Sequence, residues 1–173
     1  SASPEEKSRL LYGDLNPFAE APIIAEYLKE KTSANDTLYI VGSEVEINFL
    51  AQRKHPSRYS LIYFLTYIPG PSLLESQKET ANELLTKKPA YIIFVDSILS
   101  IFKVKETDPY FFTFIEKFLE EYYELDGMVL VAPRYQDTEY FLGKDALKEL
   151  AKKSPVVQTD SEHILIGIHR LKE

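Results

Sequence analysis

With 173 residues, 45% hydrophobic and 27% charged, the chain has the balance of a single folded domain and not of a disordered one. Its 20 Lys and Arg against 27 Asp and Glu leave a net charge of -7, which excludes a general nucleic-acid binder, because neutralising phosphates needs a cationic excess and no basic stripe supplies one. The absence of Cys excludes a disulfide scaffold, a thiolate zinc site, an iron–sulfur cluster and a Cys nucleophile.

Residues 1–19 are polar, carry Gly13, Asn16 and Pro17, and read as an arm or linker. Ser1 to Lys7 lacks the apolar core of a signal peptide, and no Met stands at position 1. The chain is therefore expected to be a piece of something larger, a tag remnant on a complete small protein being the alternative. Residues 20–173 read as one α/β domain. A helix is predicted over 20–31, with Pro22 in its first turn and Ile23, Ile24, Tyr27 and Leu28 on one apolar face. Ser33-Ala34-Asn35-Asp36 is a turn, and Thr37 to Val41 is a short β-branched and aromatic strand. Gly42-Ser43 breaks it. Glu44 to Gln52 reads as a short helix with Val45, Phe49 and Leu50 inward. Arg58 to Tyr67 is a second strand candidate, running to Pro69-Gly70-Pro71. Its apolar part, Leu61 to Ile68, is far shorter than the roughly 20 residues of a membrane-spanning helix.

Ser72 to Lys87 is predicted helical, with Leu73, Leu74, Ala81, Leu84 and Leu85 buried. Ala90 to Val95 is the strongest strand, ended by Asp96. Asp108-Pro109 opens a helix by cap and first-turn chemistry, with Phe111, Phe112, Ile115, Phe118, Leu119 and Tyr122 as its stripe. Met128 to Val131 is a strand, Tyr135 to Leu142 a hairpin arm or edge strand, Asp145 to Lys153 a helix, and Ile164 to Leu171 a closing strand. Alternating strands and helices predict a three-layer α/β fold: a mostly parallel sheet with flanking helices and an antiparallel edge near the C-terminus.

Few constellations carry chemistry by themselves. His55, His163 and His169 are the only imidazoles, with Asp160 and Glu162 close in sequence to the second. Solvated loops and one strand face explain them without a metal. Val41-Gly42-Ser43-Glu44 has the strand–glycine–helix order of a phosphate site. It lacks the spaced glycines or the Gly-Lys-Ser/Thr ending, and Glu44 and Glu46 would repel phosphate there. Asn35-Asp36-Thr37 fits a glycosylation acceptor, or equally the capping chemistry of an Asx turn. Tyr59, Tyr63, Phe64 and Tyr67 suit core packing, with a lipid interface or a sugar ring as the alternative.

Three segments together carry a resemblance. They are Asn16-Pro17-Phe18 with Ser33 to Ile40; Val41-Gly42-Ser43-Glu44-Val45-Glu46-Ile47-Asn48-Phe49-Leu50 with Ser57-Arg58-Tyr59; and Lys88-Pro89-Ala90-Tyr91-Ile92-Ile93-Phe94-Val95-Asp96. Residues 16–96 resemble the C-terminal extracytoplasmic domain of polytopic glycosyltransferases related to dolichyl-phosphate-mannose protein mannosyltransferases and lipid A aminoarabinose transferases. The segment 126–160 has no counterpart in that pattern. The resemblance implies a linker from a preceding membrane domain over 1–19 and a place on the extracytoplasmic face of the cell membrane. The partners it implies are the protein's own transmembrane domain and a lipid-linked sugar or glycan acceptor. It implies sugar transfer from a polyprenyl-phosphate donor whose catalytic loop lies among membrane helices, so no residue here is assigned as catalytic and no cofactor or metal is expected. Glu44, Glu46, Arg58 and Tyr59 are the substrate-binding candidates. The competing structural reading has Ser43 and Glu46 forming a capping box and Arg58 pairing with Glu44 or Glu46. A stand-alone enzyme or binding protein for a nucleotide or sugar phosphate near Gly42 and Asp96 is the rival from another class.

Overall fold

A computed structural model describes residues 4–13, 16–67, 72–102, 109–131, 138–153 and 164–173. In chain order the helices are α1 (Pro4–Tyr12), α2 (Ala21–Lys31), α3 (Glu46–Ala51), α4 (Tyr63–Thr66), α5 (Ser72–Lys87), α6 (Ile98–Ile101), α7 (Tyr110–Tyr122) and α8 (Lys144–Lys153). The strands are β1 (Leu38–Val41), β2 (Tyr91–Asp96), β3 (Tyr123–Val131), β4 (Glu139–Leu142) and β5 (Ile164–Leu171). They form one sheet in the order β1-β2-β5-β3-β4.

Only β1 and β2 pair in parallel; β2–β5, β5–β3 and β3–β4 are antiparallel. The expected mostly parallel, three-layer sheet is thus corrected to a mostly antiparallel one flanked by helices. The cause is β5. It does not close an edge but inserts between β2 and β3, antiparallel to both. Its run Ile164-Leu165-Ile166-Gly167-Ile168 is apolar at successive positions, as suits a strand with neighbours on both sides and cover on both faces.

Alternation along the strands splits the core in two. Leu38, Ile40, Tyr91, Ile93, Val95, Ile166 and Ile168 face a cluster with Ile24, Ala25 and Leu28 of α2 and Ile47 of α3. Tyr39, Val41 and Ile92 face the other cluster, with Leu65, Leu84, Phe111, Ile115 and Phe118 from α4, α5 and α7. A β-bulge in β3 between Leu125 and Gly127 changes sides mid-strand. Tyr123 belongs to the second cluster, yet Val129 and Val131, of the same parity, belong to the first. One inserted residue, Asp126, makes that switch.

Other expectations are corrected locally. The arm over 1–19 contains α1, whose Arg9 pairs with Glu20 at the start of α2. The strand over 58–67 does not form. Its first residues lie outside regular structure and the turn of α4 follows, because Ile62 and Leu65 reach the core by helical spacing. Three helices, α2, α5 and α3, turn outward residues expected inside. Ile23 and Leu85 are exposed, and Phe49 is 82% exposed with Leu50 also outward, while Ile47, Asn48 and Ala51 are buried. The stripe of α7 is as expected: Phe111, Ile115 and Phe118 are buried, and Phe112, Leu119 and Tyr122 pack against them. The proposed Asp108 cap, Ile68 with the Pro69-Gly70-Pro71 stop, residues 135–137, and Asp160, Glu162 and His163 lie outside the described residues. At the turn before β1, Asp36 Oδ2 accepts from the Ser33 amide at 2.7 Å and hydroxyl at 2.9 Å, reaching back three residues where an Asx turn reaches forward two.

Candidate functional site

The carboxyl ends of β1 and β2 lie side by side, and the chain leaves each through a short helical turn. Gly42 follows β1. A Cβ on it would stand 2.3 Å from Glu44 Oε2 and 2.6 Å from Ser100 Oγ, so glycine is required for space, not for a left-handed turn. Into that space comes Glu44, only 3% exposed. The Ser100 hydroxyl, from α6, donates to Glu44 Oε2 at 2.6 Å, and the Ser43 hydroxyl donates to Oε1 at 3.2 Å. The Ser43 amide donates to Ser100 Oγ at 3.1 Å. One carboxyl therefore ties the segment after β1 to the segment after β2.

The anticipated capping box does not form. Helix α3 starts at Glu46 after Val45, without a side-chain cap, and Ser43 spends its hydroxyl on Glu44. Burial pushes the Glu44 carboxyl above its ordinary range against the lowering effect of the serine hydroxyls. Burial, with the Glu44 charge adding to it, pushes Glu46 up to about 7, and Glu46 Oε1 is buried without a hydrogen-bond partner. At neutral pH this pair can hold or release a proton and can accept a ligand hydroxyl.

Arg58 does not reach this pair. Its guanidinium, 66% exposed, pairs with Glu79 of α5 at 3.4 Å and lies 4.7 Å over the Tyr59 ring. Tyr59 hydroxyl accepts from Arg58 at 2.6 Å and donates to Glu79 at 3.1 Å. The four candidates thus fall into two sets: Glu44 with Glu46 inside the corner, and Arg58 with Tyr59 on the surface over α5. A groove along α5, lined by Lys78, Glu79, Asn82, Glu83 and Lys87 among others, runs beside the second set.

Two pairings went unread in the sequence, although the strip holding Tyr63 and Tyr67 was itself read there. Tyr63, Tyr67 and Phe102 form an aromatic cluster, with Phe102 5.6 Å from Tyr63 and 5.0 Å from Tyr67 between ring centres. The other lies at the amino end of β2. There Asp126, 5% exposed, accepts from Tyr27 at 2.7 Å and Tyr91 at 2.9 Å. Burial foremost, then Asp126, holds both phenols far above their usual range. Pairing at long range leaves no local spacing signal, so neither was visible. His55 packs against Tyr39 at 4.9 Å and His169 sits on β5; burial lowers both below the usual imidazole range.

Among the described residues, no group of three or more His, Asp or Glu side chains could hold a metal, and no helix is long and apolar enough to cross a membrane. No protein-family model, no curated protein and no solved structure matches the chain.

Proposed function

We propose that the chain is an accessory domain of a membrane-embedded glycosyltransferase that uses a polyprenyl-phosphate sugar. It caps the membrane active site or helps select the acceptor, and is silent as a catalyst by itself. The observation that carries this is the buried corner. The Gly42-Ser43-Glu44 stretch behind the resemblance is self-satisfied through Ser100, so it braces the carboxyl end of the sheet and presents Glu46 beside it. Arg58 stacked on Tyr59 offers an exposed polar–aromatic surface of the kind that takes a glycan or lipid-linked acceptor.

Two measurements test it. The isolated chain should transfer no sugar from a polyprenyl-phosphate donor; turnover would overturn the silent role. In the full-length protein, Arg58→Ala with Tyr59→Ala should lower acceptor use at unchanged folding. Unchanged turnover would leave those residues as scaffold only. The position of Gly42 and Asp96 at the carboxyl ends of parallel β1 and β2 favours a second reading, a nucleotide or sugar-phosphate binder. Thermal shifts with a nucleotide panel separate the two; the acidic pair at that corner argues for no shift.

A further inference from the structure

One end of the sheet gathers several of the exposed apolar groups, four of them on or beside two short helices. Register defines it: Asp96 of β2 pairs with Leu165 of β5, Leu165 with Leu130 of β3, and Leu130 with Glu139 of β4. Helices α4 and α6 sit at this end: the Ile62 amide donates to Gly42 O after β1 at 3.4 Å, and the Thr66 hydroxyl of α4 joins α6 by donating to Ile101 O at 3.1 Å. Phe64, Tyr67, Leu99 and Phe102 are all exposed there. Phe102 holds a left-handed backbone (φ 47°), unfavourable for a bulky residue, while its ring meets Tyr63 and Tyr67. Leu61 to Tyr67 and Ser97 to Phe102 contain no charged residue, in a chain that is 27% charged.

The first helix arrives at this same end. Arg9 of α1 bonds Glu20 and, at 3.4 Å, Thr138, the residue before Glu139. Leu10 and Leu11 beside it are exposed. If the chain hangs from a membrane domain through 1–19, which is the reading this inference rests on, its linker enters at the same end of the sheet as α4 and α6, beside β4 at the opposite edge.

We infer that this end of the sheet rests on the bilayer surface, with α4 and α6 seated at the boundary between headgroups and acyl chains. Tyr and Phe suit that boundary, where an aromatic body needs an apolar bed and a hydroxyl needs water. The lipid is zwitterionic and not anionic: Asp96 and Glu139 are exposed at this end, and the chain carries a net charge of -7. Among the described residues, α4 and α6 themselves carry no charge to complement a charged peptide.

The chain has no Cys, so single cysteines report cleanly. An environment-sensitive fluorophore is placed at Phe64→Cys, at Phe102→Cys and, on the far end of α5, at Thr86→Cys. Each chain is tethered by an N-terminal lipid to phosphatidylcholine vesicles. Labels at 64 and 102 should shift to the blue and brighten, and the label at 86 should not. Phe64→Asp with Phe102→Asp should weaken vesicle partitioning of the untethered chain about tenfold or more. Adding phosphatidylglycerol at low salt should weaken it further. Water-like emission at 64 and 102 on vesicles, with the circular dichroism of the folded chain, overturns the inference. So does shielding that appears without vesicles as chain concentration rises, which marks a second copy as the occupant. These labels read no sugar transfer. Their failure alongside an acceptor defect from Arg58 and Tyr59 would leave the accessory role standing without this face. Their success in a chain whose gene encodes no membrane segment would leave the face standing without the accessory role.

Discussion

Replacing Tyr91 by Phe removes one hydroxyl and creates no cavity, which makes it a clean probe of the Asp126 clamp. Asp126 Oδ2 accepts from Tyr27 at 2.7 Å and from Tyr91 at 2.9 Å in a site that is 5% exposed. A hydrogen bond to a charged group contributes about 1.5–3 kcal/mol, so Tyr91→Phe should destabilise by about 2 kcal/mol. In a domain of this size each kcal/mol moves Tm by about 2–4 °C, giving a fall of about 4–8 °C. Tyr27→Phe should cost a similar amount. The double variant strands the carboxylate, so the two losses should not add, with a coupling of roughly 0.5–3 kcal/mol. Urea unfolding followed by far-ultraviolet circular dichroism suits a chain without Trp. A Tyr91→Phe midpoint within about 0.5 kcal/mol of the parent at unchanged slope would refute the clamp as a stabilising element.

Gly42→Ala places a Cβ against Glu44 and Ser100 and should cost about 1–3 kcal/mol, read from the urea midpoint; a neutral result would mean the corner is not close-packed. Glu46 is raised to about 7 in the fold, against about 4.3 unfolded, so its contribution is whole below the lower value and fades as pH rises through the higher. Glu46→Gln should therefore raise the urea midpoint at pH 8 and leave it nearly unchanged at pH 4. The phenols of Tyr27, Tyr39, Tyr91 and Tyr123 are raised by burial, so their contribution is whole below about pH 10 and lost above it. Stability should fall steeply above pH 10, and less steeply in Tyr91→Phe.

Element types were legible where apolar spacing was regular. The stripe of α7 and the run of β2 appear in the sequence as they stand in the fold. The failures have local causes. Only the 128–131 end of β3 was visible, because the bulge at Asp126 breaks the alternation that marks a strand. Tyr59 to Tyr67 has β-forming residues throughout, yet tertiary packing of Ile62 and Leu65 selects a helical turn. Phe49 reads as core by composition and faces outward, because Ile47 and Ala51 take the inner side of a helix too short for two faces. Strand order lay beyond the sequence, although the unbroken apolar run of β5 carries the mark of an interior strand. At the corner, the types were readable and the pairings were not: Glu44 finds Ser100, 56 positions away, and Arg58 finds Glu79.

The central place of β5 sets the order of assembly. Residues 164–171 follow the other four strands of the sheet in the chain, yet both β2 and β3 depend on them for a neighbour. Until they are synthesised, the sheet of the nascent polypeptide consists of a two-stranded ribbon and a separate hairpin with open edges between them. The domain is therefore committed to folding after β5 leaves the ribosome, and a polypeptide cut short before Ile164 would be left as two halves with nothing to zip them together.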